Sequence, residues 1–437
     1  MPLPLCHQQL QHGPIIPPSS ITMGERMKDV VVIGGGVIGM ASAVELAKRG
    51  AQVTVVERDE VGQGCSYGNA GWLTPSQAFP LANPAMILKS FKWMLDPESP
   101  LYIQPRLDPA FLRWLVEFLL ASRKARFERG AAALLELCRV STDMWEDIAK
   151  RSTVDFGFER HGLLAVYEKP GSMEDAKGMI DMLAKAGIPA ERWTADEVRE
   201  KEPSIIGPTV GAYLYPNDAH CEPFQAVRAL KAEAAALGVT LLEHTEVFDI
   251  SSDAGPRRLK TTRGTITAEQ LVVATGPWSE ALGRMLGFRL PVIGAKGYSL
   301  VLPPANPHPK RSIYLIERKV AVNPHRDALR IAGTLELVRN DFSINTRRVN
   351  VIVRGARAML NIGDAPVARE IWRGLRPCLP DGMPAIGRAR GRGDVWLATG
   401  HQMTGLKTAP GTGVLLAQLM SGETPRFDPE PFRADRY

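Results

Sequence analysis

The residues best suited to chemistry near the start of the chain form a glycine-rich turn. Gly34, Gly36 and Gly39 have the spacing Gly-x-Gly-x-x-Gly, and Glu57 ends the apolar run that follows. Such glycines permit a tight turn, the approach of a pyrophosphate to the backbone and close packing of a helix on a strand. The free N–H groups at a helix start bind the pyrophosphate. The residues expected to line this dinucleotide site are Gly34, Gly36, Val37, Ile38, Gly39, Glu57 and Arg58.

The acidic residue and its surroundings narrow the choice of dinucleotide. Glu57 accepts hydrogen bonds from a ribose diol and repels a 2′-phosphate, which disfavours NADP. Residues 61–88 carry no charged side chain and are rich in small residues, which suits a backbone lying against a large buried cofactor. A late apolar run over 271–274 ends near Gly276, and the chain has neither a second Gly-x-Gly-x-x-Gly nor a cysteine pair spaced for redox chemistry. These features favour FAD, reduced directly by the substrate.

The elements that must position these residues follow from hydrophobic patterns. The apolar β-branched run Val30–Ile33 is typical of a parallel strand buried on both faces. A helix over 40–49 and a strand over 53–56 follow, and a helix over 224–237 with a strand over 239–242 repeats the alternation. Downstream of residue 292, short apolar runs predict a mostly antiparallel sheet. The chain then predicts a helix over 347–360, a strand over 395–398, a glycine-rich loop over 400–413 and a last helix over 414–420.

These patterns predict an α/β protein with a Rossmann-type FAD-binding domain and an interleaved α+β substrate domain. The FAD-binding domain is expected to comprise residues 27–80, 201–290 and 366–437. The substrate domain is expected to comprise residues 81–200 and 291–365. The proline-rich residues 1–26 predict a disordered tail.

Composition excludes several functional classes. The 437 residues include 53 basic and 47 acidic side chains, with no basic run interleaved with aromatics, so a nucleic-acid partner is not expected. The 5 cysteines form no Cys-x-x-Cys pair, which argues against a disulfide framework or a metal site and fits a reducing cytoplasm. No apolar run reaches the roughly 20 residues that a membrane-spanning helix needs.

Several motifs together resemble those of the FAD-dependent D-amino-acid dehydrogenases, within the D-amino-acid oxidase superfamily. The resemblance runs from about Lys28 to the C-terminus. The segments around residues 69–71 and 79–81 resemble most closely the dehydrogenases and oxidases of D-hydroxyproline catabolism. The motifs are the glycine-rich turn with Glu57, Ser66-Tyr67-Gly68-Asn69-Ala70-Gly71, Lys296-Gly297-Tyr298-Ser299, residues 372–377, residues 380–384, and Thr399-Gly400-His401 with Gly405.

The resemblance implies oxidation of a D-amino acid, with D-proline and cis-4-hydroxy-D-proline as candidates, by hydride transfer from Cα to flavin N5. It assigns Arg376 to the substrate carboxylate, which arginine binds bidentately. The alternative is a structural arginine that holds its loop against neighbouring residues. Tyr298 is either a second carboxylate contact or a buried tyrosine of the sheet. His401 either faces the flavin or substrate or is structural. Further FAD contacts are expected from Ser66, Asn69, Ala70, Gly71, Val247, Gly276, Gly405 and Leu406.

Two departures from relatives refine these expectations. Glycine oxidases carry an arginine two residues after the histidine of the closing loop, where this chain has Met403, which disfavours glycine oxidase activity. Sarcosine oxidases attach flavin through a cysteine, and Cys378 is offset from that position, so non-covalent FAD is expected. Alternatives to a dehydrogenase that passes electrons to a quinone or another acceptor are an O₂-using oxidase of the same fold and an FAD-binding subunit of a heteromeric dehydrogenase.

One segment raises the question of membrane contact. Apolar residues at helical spacing precede a basic cluster, which fits either an amphipathic helix covering the substrate domain or a helix lying on an anionic membrane. The second interpretation would put a cytoplasmic enzyme at the inner face of the plasma membrane. The residues are Phe111, Trp114, Leu115, Phe118 and Leu119, followed by Arg123, Lys124, Arg126 and Arg129.

Overall fold

The computed structural model describes residues 29–83, 99, 101–104, 106–251, 255–338 and 341–437. The predicted tail over 1–26 lies outside the described residues. Within the described part of the chain, no helix is both long enough and apolar enough to cross a bilayer.

The described residues form twenty strands, ten α-helices and four short 3-10 helices. The strands are β1 (Val30–Ile33), β2 (Val53–Val56), β3 (Trp72–Leu73), β4 (Leu101–Ile103), β5 (Leu163–Tyr167), β6 (Glu191–Thr194), β7 (Gly211–Tyr215), β8 (Ala219–His220), β9 (Thr240–Leu242), β10 (Val247–Ile250), β11 (Arg257–Thr261), β12 (Gly264–Ala268), β13 (Gln270–Val273), β14 (Ile293–Leu302), β15 (Ser312–Leu315), β16 (Val320–His325), β17 (Ala328–Leu337), β18 (Glu370–Cys378), β19 (Ala385–Arg388) and β20 (Val395–Thr399). The helices are α1 (Val37–Lys48), α2 (Pro109–Ala121), α3 (Lys124–Arg151), α4 (Pro170–Asp175), α5 (Lys177–Lys185), α6 (Ala195–Lys201), α7 (Pro223–Ala236), α8 (Ser279–Met285), α9 (Thr346–Arg357) and α10 (Gly405–Ser421).

A six-stranded sheet carries the N-terminal strand at its centre, in the order β19-β20-β13-β1-β2-β9. All four residues of β1 are buried, as the β-branched run predicts. β1 runs parallel to both β13 and β2, whereas β19 pairs antiparallel with β20 at one edge. The parallel strands and α1 confirm the Rossmann-type arrangement, and the carboxyl ends of these strands meet along one edge of the sheet.

A larger sheet of nine strands runs β18-β14-β17-β16-β15-β5-β7-β6, with β4 paired to β17. Its pairs are antiparallel except for β15 with β5 and β17 with β4, which confirms the mostly antiparallel sheet predicted after residue 292. The register between β14 and β17 shifts between Lys296 and Tyr298. Such a bulge bends the strand and redirects side chains.

Two segments that the sequence assigns to the FAD-binding domain each contribute a strand to the nine-stranded sheet. β7 and β18 belong to the nine-stranded sheet, although residues 201–290 and 366–437 were expected to be wholly in the FAD-binding domain. The expected assignment of these segments to the FAD-binding domain therefore does not hold for β7 and β18. The division into two domains stays a prediction.

The last helix is longer than its sequence suggests. The glycine-rich loop predicted over 400–413 is wrong from residue 405 onward, because α10 begins at Gly405 and contains Pro410 in its interior. Proline supplies no N–H for the carbonyl four residues earlier. The indole of Trp145, on α3, donates to that carbonyl of Leu406 at 2.8 Å, so the missing hydrogen bond is replaced from outside the helix.

Candidate functional site

The carboxyl edge of the six-stranded sheet borders a cavity of about 250 Å³, here called the dinucleotide cavity. Residues at or just after the ends of β1, β2, β13 and β20 form its walls. Ligands of open parallel sheets bind at this edge. The structure brings together here the following predicted residues: Gly34, Gly36, Val37, Ile38, Glu57, Arg58, Ser66, Asn69, Val247, Gly276, His401, Gly405 and Leu406.

The glycine-rich turn is shaped by backbone crowding. Gly34 has φ +108°, and a Cβ built there would lie 2.6 Å from the Ala274 carbonyl oxygen. A Cβ on Gly39 would lie 1.8 Å from the Gly34 carbonyl oxygen. Gly39 therefore packs α1 against the turn and does not line the cavity, whereas Gly34 and Gly36 line it.

The start of α1 leaves room for an anion. Its N-cap residue, Gly36, offers no side-chain cap, and the first turn has no acidic residue. The Val37 N–H donates to Ser66 Oγ at 3.0 Å. The helix start, with its partial positive charge, borders the cavity and suits a pyrophosphate.

Glu57 holds the turn and also lines the cavity. Its Oε2 accepts the Gly35 N–H at 2.6 Å, and its Oε1 accepts the Asp59 N–H at 2.9 Å. Each carboxylate oxygen has a second lone pair that can accept a ribose hydroxyl. The neighbouring Arg58 guanidinium lies 4.4 Å from the ring centroid of Trp278, at the same cavity. This acid, glycine cradle and open helix start fit the adenosine diphosphate part of FAD.

A second cavity of about 360 Å³, here called the substrate cavity, is contiguous with the first. Cys65, Asn69, Pro377 and Gln402 line both cavities. The floor consists of small residues of the nine-stranded sheet. The walls are largely apolar and include Leu81, Leu101, Ile103, Leu115, Phe118, Tyr314, Leu335, Leu337, Trp372 and Met403.

Arg376 is the predicted residue with the clearest chemical role in the substrate cavity. Its Nη1 donates to the Thr334 carbonyl at 2.9 Å, and a Cβ on Gly297 would lie 2.1 Å from that nitrogen. The missing side chain of Gly297 thus makes room for the guanidinium. Burial lowers the pKa of Arg376, and the groups that offset this effect are the thiols of Cys378 and Cys65. A buried cation without a carboxylate partner is a receptor for an anion.

The backbone around Arg376 is strained. Thr334 lies at the bulge of β17 with φ +58°, in the left-handed region that β-branched residues rarely adopt. Of the four non-glycine residues with positive φ in the described chain, Lys319, Thr334 and Gln402 line the substrate cavity. Strain of this kind concentrates at functional sites.

Tyr298 and His401 are less available than their motifs suggest. The Tyr298 ring lines the substrate cavity, but its hydroxyl accepts the Asn345 N–H at 3.2 Å. His401 Nε2 lies 3.1 Å from Oγ1 of Thr412, in the middle of α10. Burial lowers the pKa of His401 to about 3, so its imidazole is neutral near pH 7.

Three further residues considered in the sequence analysis, Ala70, Gly71 and Cys378, do not line the dinucleotide cavity. Ala70 lines the substrate cavity and not the dinucleotide cavity. Gly71 lines neither, because its backbone packs against β8 and β16: a Cβ there would lie 2.3 Å from both the Cys221 carbonyl oxygen and Asn323 Nδ2. Cys378 is buried and also lines neither cavity.

The helix α2 covers the substrate cavity. Phe111 and Trp114 are buried, and Leu115 and Phe118 line the cavity wall. These four residues therefore support the interpretation of α2 as a covering helix and are not free to act as membrane anchors.

Sequence reasoning missed two lysines and a threonine in the substrate cavity: Lys319, Lys407 and Thr334. Lys407 had a usable signal, because it is the one Asp, Glu, Lys or Arg between Asp394 and Glu423. Lys319 lies in a charged turn, and Thr334 in an apolar strand, so neither has a local signal. None of the described residues lining this cavity is Asp or Glu.

Comparison with known proteins places this geometry in a family. The sequence profile described as "FAD dependent oxidoreductase" (DAO) matches residues 29–419. A protein named D-amino acid dehydrogenase from Paramagnetospirillum magneticum is 34% identical over 417 residues, covering 93% of this chain and 98% of that protein.

Two further similarities support this family assignment. A protein named D-amino-acid oxidase from Bradyrhizobium diazoefficiens is 31% identical over 417 residues, covering 94% of this chain and 99% of that protein. Among solved structures, glycine oxidase from Geobacillus kaustophilus superposes with a TM-score of 0.76 at 26% identity, covering 94% of this chain and 99% of that one.

Proposed function

Because the chain belongs to the DAO family of FAD-dependent oxidoreductases, we propose that it oxidises a D-amino or D-imino acid whose carboxylate is held by Arg376 in the substrate cavity. The observation that carries this proposal is a half-buried guanidinium in the substrate cavity whose one described hydrogen bond is to a carbonyl oxygen. Relatives named D-amino acid dehydrogenase, matched over nearly their whole length, support the D-amino-acid class.

The same geometry supports FAD bound without a covalent link. The residues that would hold it are the start of α1 with Gly36, the carboxylate of Glu57, and the segments around Ser66 and Gly276. Cys65 is the cysteine that lines both cavities, and burial raises the pKa of its thiol to about 12. A protonated thiol is a poor nucleophile, which disfavours a flavin–cysteine bond.

FAD, when bound, supplies the chemistry of accepting a hydride equivalent from the substrate Cα. The protein contributes position and electrostatics. Arg376 fixes the carboxylate, and the apolar walls exclude water from the reacting centre. The cavity lining contains Lys319, Arg376 and Lys407 but no described acid. Nearby cations disfavour a substrate ammonium group, so the cavity selects the neutral amine, whose lone pair assists departure of the hydride.

The lining also bears on the substrate side chain. Leu101, Ile103, Leu115 and Phe118 contribute apolar side chains to the cavity lining. Such a lining suits a compact hydrocarbon ring, which supports a cyclic D-imino acid such as D-proline or cis-4-hydroxy-D-proline as the substrate.

Purified protein would be tested with these D-amino acids under two conditions. Anaerobic reduction of an artificial dye, without hydrogen peroxide formation in air, is the result expected for a dehydrogenase. Peroxide formation at a rate matching substrate loss would favour the oxidase alternative. Failure of the isolated, FAD-loaded chain to be reduced by any D-amino acid would contradict the proposal and favour a subunit of a heteromeric enzyme.

A quinone acceptor would place the protein at a membrane surface, and the outer face of α2 supports that location. Leu112, Val116, Leu119 and Leu120 recur on this outer face at 48–55% exposure. The basic side chains that follow are also exposed: Arg123, Lys124, Arg126 and Arg129. Apolar residues beside cations suit an anionic lipid surface.

Vesicle sedimentation tests this location. Binding to vesicles that contain phosphatidylglycerol, but not to pure phosphatidylcholine, is expected. The double substitution Val116→Ser with Leu119→Ser should abolish it, whereas Val367→Ser, at another exposed apolar residue, should not. Equal binding of all three proteins would contradict the assignment of α2.

A further inference from the structure

The substrate cavity contains more positive charge than one carboxylate needs. Lys319, Arg376 and Lys407 all line it, and the described lining has no acidic side chain. The three cations differ in what already binds them. That difference identifies the one that is free to bind substrate besides Arg376.

Lys407 is fully engaged by the protein. Its Nζ donates to Thr74 Oγ1 at 2.7 Å, to the Thr74 carbonyl at 3.2 Å and to the Gln77 carbonyl at 3.4 Å. An ammonium group has three N–H donors, so these acceptors satisfy it. Lys407 therefore ties α10 to the segment after β3.

Lys319 has no comparable partner among the described residues. Its Nζ lies 5.8 Å from the ring centroid of Tyr314, itself a cavity residue. The neighbouring Glu317 carboxylate instead accepts the N–H groups of Glu168 and Lys169, at 3.0 and 3.3 Å. Burial lowers the pKa of Lys319, and the charge of the Glu317 carboxylate offsets only part of this effect.

The backbone holds Lys319 in an unusual conformation at the cavity. It ends the turn between β15 and β16 with φ +54°. Glycine and asparagine are the residues that normally tolerate this region. Its carbonyl oxygen lies at β17, 3.1 Å from where a Cβ of Gly333 would stand. Lys319 thus sits opposite the strained Thr334, whose carbonyl binds Arg376.

The two cations reach the cavity from different parts of the nine-stranded sheet. The Arg376 guanidinium lies over Gly297 of β14, whereas Lys319 directly precedes β16, and β17 runs between those strands. Two strand spacings correspond to roughly 10 Å. Ala321, Ala332 and Gly333, which have small side chains or none, also line the cavity and leave space for a small amino acid.

We propose that Lys319 is the polar end of the side-chain subsite and donates a hydrogen bond to an oxygen of the substrate. The substrate class is a D-amino or D-imino acid with its α-carboxylate on Arg376, a hydrocarbon middle, and a hydroxyl or carboxylate oxygen at the far end. This inference rests on the proposed function and adds a selectivity that Arg376 alone does not provide.

Matched substrates and variants test the subsite. The pairs are cis-4-hydroxy-D-proline with D-proline, and D-glutamate with D-norvaline, which differ in the distal oxygen. We expect the wild-type enzyme to prefer the oxygen-bearing member of at least one pair by kcat/KM. Lys319→Met should reduce that preference, measured as the ratio of kcat/KM within the pair, about tenfold or more. Lys319→Arg should restore part of it.

The controls separate the possible failures. Lys185→Met removes an exposed lysine of α5 and should leave selectivity unchanged. Loss of preference in the proline pair identifies a hydroxyl, and loss in the glutamate pair identifies a carboxylate. If Lys319→Met retains FAD and changes both members of each pair equally, the subsite is wrong although the proposed function stands. If no D-amino acid reduces the wild-type flavin, both proposals are wrong.

Discussion

The two contiguous cavities are built from different parts of the polypeptide. The dinucleotide cavity is shaped mainly by backbone: the glycine turn, the start of α1 and the carboxyl ends of parallel strands. The substrate cavity is shaped by side chains that converge from β14, β16, β17, β18, α2 and α10. A backbone-built site leaves a local sequence pattern, whereas a side-chain-built site leaves scattered residues.

The difference has an electrostatic counterpart. The dinucleotide cavity presents an acid beside the positive end of a helix, and its Glu57 is bound by two backbone N–H groups. The substrate cavity presents cations without a described acid in its lining. Each set of charges suits one part of the reaction, and substitutions in the two cavities should therefore have separable effects.

The largest difference between the effect on substrate oxidation and the effect on FAD binding is expected for a substitution of Arg376. Arg376→Ala should lower kcat/KM for D-amino acids by about 30-fold or more, because truncation of one partner of a hydrogen-bonded charge pair costs roughly 2–5 kcal/mol. The FAD content of the purified variant, measured from its flavin absorbance, should match that of the wild type. Unchanged kinetics, or loss of FAD together with activity, would contradict the assignment of Arg376 to the substrate side.

The reciprocal effect is expected at Glu57. Glu57→Ala should weaken FAD binding about tenfold or more, because hydrogen bonds to a charged group contribute roughly 1.5–3 kcal/mol. Fluorescence titration of the apoprotein with FAD would measure this change. At saturating FAD the KM for substrate should stay within twofold of wild type, and a large rise in KM would show that the cavities are not separable.

A smaller effect should reach both cavities, since α10 contributes Gly405 and Leu406 to one and Lys407 to the other. Trp145→Phe should lower the free energy of unfolding by roughly 1–3 kcal/mol, because it leaves the buried Leu406 carbonyl without a donor. In a Pro410→Ala variant the backbone N–H of residue 410 can donate to the Leu406 carbonyl. Trp145→Phe should therefore lower the free energy of unfolding by less in that variant. Equal costs in the two backgrounds would show that the indole hydrogen bond does not compensate for Pro410.

The smallest effect concerns the pH dependence of stability. The pKa of His401, about 3 in the folded protein, lies below the roughly 6.5 of an unfolded chain. Its contribution is therefore present above pH 6.5 and is lost as pH falls toward 3, by at most about 1.4 kcal/mol per pH unit.

Unfolding by urea at pH 7.5 and 5.0 would measure this contribution in wild type and His401→Gln. The stability of the wild type relative to the variant should fall at pH 5.0. Since His220 and His325, whose pKa values are also lowered by burial, are present in both proteins, their effects cancel. A difference that does not vary with pH would mean that folding leaves the pKa of His401 unchanged.

The sequence predicts the dinucleotide cavity, built mainly by backbone, better than the substrate cavity, built by scattered side chains. The turn at Gly34, Gly36 and Gly39, the strand β1 and the acid Glu57 were all recognisable, because each depends on neighbours in the chain. Arg376 was identified through a family resemblance, since nothing in its own surroundings distinguishes it from other arginines.

The parts that escaped prediction depend on distant partners. The start of α10 resembles a loop in sequence because Pro410 and three glycines disfavour a helix, and the compensating Trp145 indole lies 261 residues away from Leu406. Lys319 has no local signal at all. Its place in the cavity is set by the pairing of β16 with β17 and by the turn before β16.

The most direct test of the account is anaerobic reduction of the bound flavin, followed by loss of its absorbance. Three compounds separate the requirements: D-proline, L-proline, and pyrrolidine, which lacks the carboxylate. The account predicts rapid bleaching by D-proline and little by the other two, with Arg376→Ala slowing D-proline toward the rate of pyrrolidine. Equally rapid bleaching by pyrrolidine and D-proline in the wild-type protein would contradict the claim that Arg376 holds the substrate carboxylate.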